Sequence, residues 1–309
     1  MLKQNILIFG HKNPDTDSIC SSILKERLNK KKGIQESKAV RLGELNKETR
    51  YVLENLGIEI PEMIEKVEEA QKVILVDHNE FNQSVQGIEK SNILEVIDHH
   101  RIDDFRTEKP IYFTTKPYGC TATILYEEFK KCEVEIGKEE AMLMASCIIS
   151  DTLLLKSPTT TEYDIKTLKE LEKIANINIE EYGLKMLKAG TDLNDFSEEQ
   201  LINIDSKNVG KGEIKYIIAQ VNTVSIPDVL KRQENIEKAI NNEIQKQGLS
   251  LFVLAITDIL NCNSEIIALG SRVDVIEKGF GVKLENNRTF LEGVVSRKKQ
   301  LLPQIDKYI

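Results

Sequence analysis

The stretch ILIFGHKNPDTDS, from Ile6 to Ser18, decides the fold. Its four leading residues, Ile6-Leu7-Ile8-Phe9, form a short apolar run of the kind that makes a buried strand. A polar loop follows, carrying His11, Asp15 and Asp17. Beyond it, Ile19, Ile23, Leu24 and Leu28 recur at helical spacing, which predicts a helix from Ser18 to Lys31. Strand, loop and helix in that order make the opening unit of an α/β protein. Pro14 bars Asn13 from right-handed helical geometry, so the loop can turn and aim His11, Asp15 and Asp17 into one crevice. Taken alone, Asp17 has an ordinary reading as the N-cap of a helix starting at Ser18.

The pattern repeats outward. The runs KVILV (Lys72–Val76) and ILEVI (Ile93–Ile97) are apolar throughout, as strands covered on both faces are. Helical periods span Lys47–Leu56, Thr121–Lys131 and Lys138–Ser150. Strands alternating with helices predict a parallel sheet with crossover helices. Around KAGTDLNDFS, residues 188–197, the composition turns to Gly, Asp, Asn and Ser. The expected division is a first domain over residues 1–188, a linker over 189–196 and a smaller α/β domain over 197–309. In the latter, Ile214–Val221, Leu249–Asp258 and Ile266–Ser271 flank a long helix at about Pro227–Gln247.

With 309 residues the chain has room for two domains. Its net charge of −8 lacks the basic excess of a nucleic-acid binder. The run Lys30-Lys31-Lys32 before Gly33 reads as a solvated helix end. No apolar run approaches the ~18 residues of a membrane span, and MLKQNILIFGHK lacks the features of a signal peptide, so a cytoplasmic protein is expected. The five cysteines, Cys20, Cys120, Cys132, Cys147 and Cys262, never form a C-x-x-C pair. Reduced thiols are expected rather than a disulfide framework or zinc-thiolate site.

All four histidines fall at the ends of expected strands. The first strand stops before His11, the second runs into Asp77-His78, and the third runs into Asp98-His99-His100. Asp151 closes the apolar stretch AMLMASCIIS. Ligands of parallel α/β sheets bind beyond the carboxyl ends of the strands. Carboxylates suit hard divalent ions and imidazole suits borderline ones. Together they fit a two-metal site, with ions about 3.5–4 Å apart that activate water and clamp phosphoryl oxygens. In that setting SRKKQ, Ser296 to Gln300, gains meaning: Arg297 offers a planar fork for phosphate and Lys298 a point charge. Lys207 is a third candidate cation. The two sets lie on either side of the linker, so the active site is expected in the cleft between the domains.

GHKNPDTDSI, VDHNE, VIDHHR, SDTLLLKSPTTT and the terminal VSRKKQ resemble, in this order, the family II, manganese-dependent inorganic pyrophosphatases of the DHH phosphoesterase superfamily. The resemblance implies an N-terminal parallel-sheet DHH domain and a C-terminal substrate-binding domain. It implies that His11, Asp15 and Asp77 hold one Mn²⁺, and that Asp17, Asp77, His99 and Asp151 hold the other, with Asp77 bridging. It puts His100 near the leaving group, and Lys207, Arg297 and Lys298 on phosphate. Asp98 and His78 would support the ligands from behind. Asp17 then no longer serves as the helix cap, which passes to Thr16 or Ser18.

The implied reaction is hydrolysis of inorganic diphosphate to two phosphates by a hydroxide held between the metals, with a Lys/Arg clamp. Co²⁺ is a possible substitute metal, and Mg²⁺ would accompany the substrate. A homodimer joined through N-terminal domains is expected. The rival readings are an exopolyphosphatase, a short-nucleotide phosphodiesterase of the same superfamily, and a non-enzymatic phosphate sensor. A glycine-rich nucleotide-holding motif is missing from the second domain, and no ligand position is lost.

Overall fold

The computed structural model describes residues 5–211 and 214–309, which form two compact units, Met1–Gly190 and Thr191–Ile309. The first unit runs β1 (Ile6–Phe9), α1 (Thr16–Lys31), β2 (Ser37–Arg41), α2 (Lys47–Leu56), β3 (Glu62–Met63), β4 (Lys72–Val76), β5 (Asn92–Asp98), β6 (Tyr112–Thr115), α3 (Thr121–Lys131), α4 (Lys138–Thr152), α5 (Glu162–Ala175) and α6 (Ile179–Gly190).

Its six strands lie in the order β3-β2-β1-β4-β5-β6, every pair parallel. β1 is buried along its whole length, and so is β4 from Val73 to Val76, because α1 covers one face and Val67, Val85 and Ile88 of the connecting segments pack on Leu7, Phe9, Val73 and Leu75 on the other. Strand order reverses between β1 and β4. That switch point opens a crevice beyond the strand ends, and the loops bearing His11 and Asp77 leave the sheet there. Helix α4 is apolar all round, and Ala141 through Ile149 are buried. Such a helix belongs inside the protein, and it packs against α1, α3 and α5.

The start of α1 differs from the sequence expectation. The helix begins at Thr16, and its cap is Asp15, whose Oδ1 accepts from Ser18 N–H at 2.9 Å. Neither Thr16 nor Ser18 is the cap. Asn13 takes a left-handed φ of 53°, which Asn tolerates better than most residues. A Cβ on Gly10 would lie 1.9 Å from Ser18 Oγ and 2.8 Å from Ser18 Cα, so a larger residue must displace the start of α1. The short strands β2, β3 and β6 complete the sheet beyond the apolar runs.

The second unit contains α7 (Glu198–Leu201), β7 (Ser206–Lys211), β8 (Ile214–Thr223), α8 (Ile226–Leu230), α9 (Gln233–Gln247), β9 (Leu251–Asp258), β10 (Asn263–Leu269), α10 (Asp274–Phe280), β11 (Arg288–Leu291) and α11 (Leu302–Asp306). The strands form one mixed sheet, β11-β10-β9-β8-β7, in which only β8 and β9 pair in parallel. All eight residues of β9 are buried, and successive side chains enter opposite cores. Phe252, Leu254 and Ile256 meet Ile236 and Ile240 of α9. Leu251 and Val253 meet Val275 of α10 and Ile305 of α11. The long helix expected from about Pro227 is two helices, broken at Lys231-Arg232. Arg232 turns its guanidinium to Glu198 and to the carbonyls of Leu193 and Phe196.

Candidate metal centre

Asp77 follows β4 and is fully buried, with a left-handed φ of 59°. That conformation is costly for an L-residue; here it comes with a backbone N–H bonded to the Ile97 carbonyl at 2.9 Å. The carboxylate is flanked on two sides. His11 Nε2 lies 3.4 Å from Asp77 Oδ2 and 3.4 Å from Asp15 Oδ2. His99 Nε2 lies 3.3 Å from Asp77 Oδ1 and 3.7 Å from Asp151 Oδ2. Each imidazole is fixed from behind: His11 Nδ1–H donates to the Lys12 carbonyl at 2.7 Å, and His99 Nδ1–H donates to the Tyr118 carbonyl at 3.0 Å. Both rings therefore turn Nε2 toward the carboxylates, the arrangement a metal-ligating histidine needs.

Asp17 is buried beside α3. Its Oδ2 accepts from Thr121 N–H at 2.7 Å, and its Oδ1 accepts from Ser21 Oγ–H at 2.8 Å and Ala122 N–H at 3.2 Å. It does serve a helix start, but that of α3 rather than α1. Oxygens of Asp17 and Asp151 and the Cys120 thiol lie within 4.8 Å of one another. Asp151 sits in the last turn of α4, which ends in three successive left-handed residues, Leu153, Leu154 and Leu155.

The four carboxylates crowd one another, and protonation shows it. Burial, reinforced by the charge of Asp77, pushes Asp17 up to about 6. Burial and the charges of Asp17, Asp77 and Asp15 push Asp151 well above the usual carboxylate range. Burial alone would lower His11, but its bonds to Asp15 and Asp77 outweigh that and raise it to about 11. Burial likewise opposes the His99 imidazolium, yet Asp77 raises it to about 9. Asp77 is held far below its ordinary value, against the effect of burial, by the same two histidines. The cluster thus demands positive charge. Carboxylate oxygens with outward-facing imidazole nitrogens are a donor set suited to divalent ions such as Mn²⁺.

Behind this layer, Asp98 Oδ1 accepts from His100 Nδ1–H at 2.9 Å and from the His99 N–H at 2.8 Å. Burial opposes the Asp98 carboxylate, but the bonds from His100 and Asn79 keep it below its ordinary value. His100 is raised, chiefly by Asp98. The buried His78 donates Nδ1–H to the Val76 carbonyl and accepts from Ser84 Oγ–H. Burial lowers it to about 4, so it stays neutral and pins its own loop rather than backing Asp77. Two residues had no signal in the sequence. Thr121 Oγ1–H donates to Asp77 Oδ1 at 3.1 Å, and Asn79 Nδ2–H donates to Asp98 Oδ2 at 2.6 Å.

In the second unit, Lys207, Arg297 and Lys298 line one pocket of about 170 Å³. Arg297 begins a turn of π-helix capped by Ser296, and its guanidinium pairs with Asp205 at 2.7 Å. Two glutamines hold that turn. Gln220 Oε1 accepts from Arg297 N–H at 3.0 Å, and Gln300 Oε1 accepts from Ser296 N–H at 3.0 Å.

A parallel sheet ending in D-H-H, with carboxylates at its switch point, defines a DHH phosphoesterase-type protein. The profile "DHH family, N-terminal domain" matches residues 5–148, and that of the "DHHA2 domain" matches residues 184–308. Within that class, the chain belongs to the manganese-dependent, family II inorganic pyrophosphatases. A manganese-dependent inorganic pyrophosphatase of Bacillus subtilis is 51% identical over 301 residues, 97% of either chain. A protein of Exiguobacterium sp. assigned to the same group is 52% identical over 299 residues, 96% of either chain. A Methanococcus jannaschii crystal structure assigned to family II has a TM-score of 0.62 at 39% identity, covering 97% of this chain and 98% of the other. No helix among the described residues is long and apolar enough to cross a membrane.

Proposed function

We propose that the protein hydrolyses inorganic diphosphate to two phosphates. The observation that carries this is Asp77, whose two oxygens face His11 and His99 separately at 3.4 and 3.3 Å, as a carboxylate shared by two ions must. His11, Asp15 and Asp77 would hold one Mn²⁺, and Asp17, Asp77, His99 and Asp151 the other. Bound there, the ions supply an attacking nucleophile by acidifying water and neutralise phosphoryl oxygens. Co²⁺ is a possible replacement, and Mg²⁺ would arrive with the substrate.

The chain supplies the rest. His100 keeps Nδ1 on Asp98 while its ring is half exposed, which leaves Nε2 to donate a proton to the leaving phosphate. Lys207, Arg297 and Lys298 neutralise charge on the substrate, the usual demand of phosphoryl transfer. The Asp205 pair and the Gln220 bond fix the Arg297 fork before substrate arrives. A homodimer through the first unit is part of the proposal. It is supported by β6, the last strand of its sheet, whose Tyr112 is exposed. A cytoplasmic location completes it.

The test is phosphate release from diphosphate, tripolyphosphate and a dinucleotide, each with Mn²⁺ and with Mg²⁺ alone. Strong preference for diphosphate with Mn²⁺ is expected. Faster release from tripolyphosphate or the dinucleotide would move the protein to another DHH activity. Metal binding without any hydrolysis would make it a sensor.

A further inference from the structure

One carboxylate outside the metal centre ties together the segments that carry its ligands. Thr16 stands between Asp15 and Asp17, and Ser150 immediately precedes Asp151. Their hydroxyls donate to the same atom, Glu48 Oε1, at 2.7 and 2.6 Å. Glu48 lies in the first turn of α2, which Asn46 caps by accepting from Thr49 N–H. Thr49 in turn meets Thr16 Oγ1 at 3.1 Å. On its other side, Glu48 is hemmed in by Gly190 at the end of α6, where an added Cβ would lie 2.9 Å from Glu48 Cβ.

We propose that Glu48 is a positioning residue for the metal centre. It fixes the Asp15–Asp17 turn against the Asp151 end of α4, two segments far apart in sequence. The proposal rests on the metal-centre reading above. A ligand carboxylate next to an anchored hydroxyl keeps less backbone freedom, so a bound ion orders less on arrival. Partners behind metal ligands contribute about 10–100-fold to metal affinity. Both bonds end on one oxygen of Glu48, so an amide oxygen can accept both in the same geometry. The role is therefore one of placement, and the charge of Glu48 is dispensable.

The experiment is a Mn²⁺ titration of the full-length protein, with free ion read by electron paramagnetic resonance. Exchange coupling between the two bound ions and the thermal midpoint of the metal-free protein are recorded alongside. Glu48→Ala is expected to weaken Mn²⁺ binding about 10–100-fold and to disturb the coupled signal, while Glu48→Gln restores both. A merely structural role would lower the metal-free midpoint and leave affinity unmoved. Parent affinity in Glu48→Ala overturns the proposal, and so does Glu48→Gln binding as weakly as Glu48→Ala. Should Glu48→Ala fail to fold, Ser150→Ala removes one tether alone. Weaker binding at the Asp151 ion supports the proposal, and parent affinity there overturns it. A parent protein that takes up no Mn²⁺ would sink the metal centre itself; parent binding with an indifferent Glu48→Ala sinks only the positioning role.

Discussion

Asp77→Ala tests the shared ligand directly. His11 and His99 address different oxygens of Asp77, so on the proposed assignment this one substitution takes a ligand from each ion. Four-ligand zinc sites bind with about 10–16 kcal/mol, or about 2.5–4 kcal/mol per ligand. At about 1.4 kcal/mol per tenfold, each ion should lose about 10²–10³ in affinity. Mn²⁺ stands at the weak end of the divalent series, so the smaller figure applies. Asp15→Ala is the control: Asp15 Oδ2 meets His11 while its Oδ1 caps α1, so on the proposed assignment it should weaken one ion and spare the other. Ala at a φ of 59° adds strain of about 1–2 kcal/mol, so stability of the metal-free variants is measured in parallel. The assay is isothermal titration of Mn²⁺ into chelator-treated protein, with diphosphate hydrolysis followed on the same samples. Both steps of the Asp77→Ala isotherm should weaken by about 10², and hydrolysis should be lost with them. An Asp77→Ala protein that keeps one ion at parent affinity would refute the shared position.

Arg297→Ala should retain both Mn²⁺ ions and lose about 10²–10³ in kcat; parent turnover in the metal-loaded variant would remove Arg297 from the reaction. Mn²⁺ uptake at pH 7 should release protons, because His11 and His99 titrate near 11 and 9 without metal and ligation needs their lone pairs. Calorimetry in buffers of differing ionisation enthalpy counts the protons, and a count of zero contradicts the cluster's electrostatics. In the metal-free protein both histidines lie above their ordinary 6.5. Their stabilisation is therefore complete below about pH 6.5 and fades as pH rises through 9 and then 11, which chelated thermal melts across that range will show or refute. Gly10→Ala should destabilise by about 1–3 kcal/mol, since its Cβ meets Ser18 Oγ at 1.9 Å and Ser18 Cα at 2.8 Å; an unchanged denaturant midpoint would mean that the α1 start yields freely.

The central strands were legible because burial on both faces writes itself as unbroken apolar runs. β1 and β4 have the very bounds that Ile6–Phe9 and KVILV mark, and α2 and α3 those of their helical periods. The outer strands were not legible. β2, one in from the edge, reads SKAVR and the edge strand β7 reads SKNVGK, with too few apolar residues to stand out. The break between α8 and α9 was hidden because Arg232 is held by Glu198 and two carbonyls 34 to 39 residues away. In the metal centre, histidines and aspartates at strand ends announced themselves. The groups that hold them did not: Thr121, Asn79 and Glu48 are ordinary polar residues whose roles arise only when distant segments meet. Asp15 was read as a ligand and not as a cap, although its Oδ1 and Oδ2 face different neighbours and both uses stand side by side.

Asp15 closes the first turn of α1 and Asp17 receives the first amides of α3. These carboxylates are thus employed by the polypeptide itself, ion or no ion. Those bonds belong to the fold itself, so stripping ions from the proposed centre should leave a folded protein rather than a collapsed one. Charging it is then an ordinary exchange equilibrium with the surrounding solution. On that reading, which ion would reside there follows from supply and affinity at the moment of use, and not from the moment of folding.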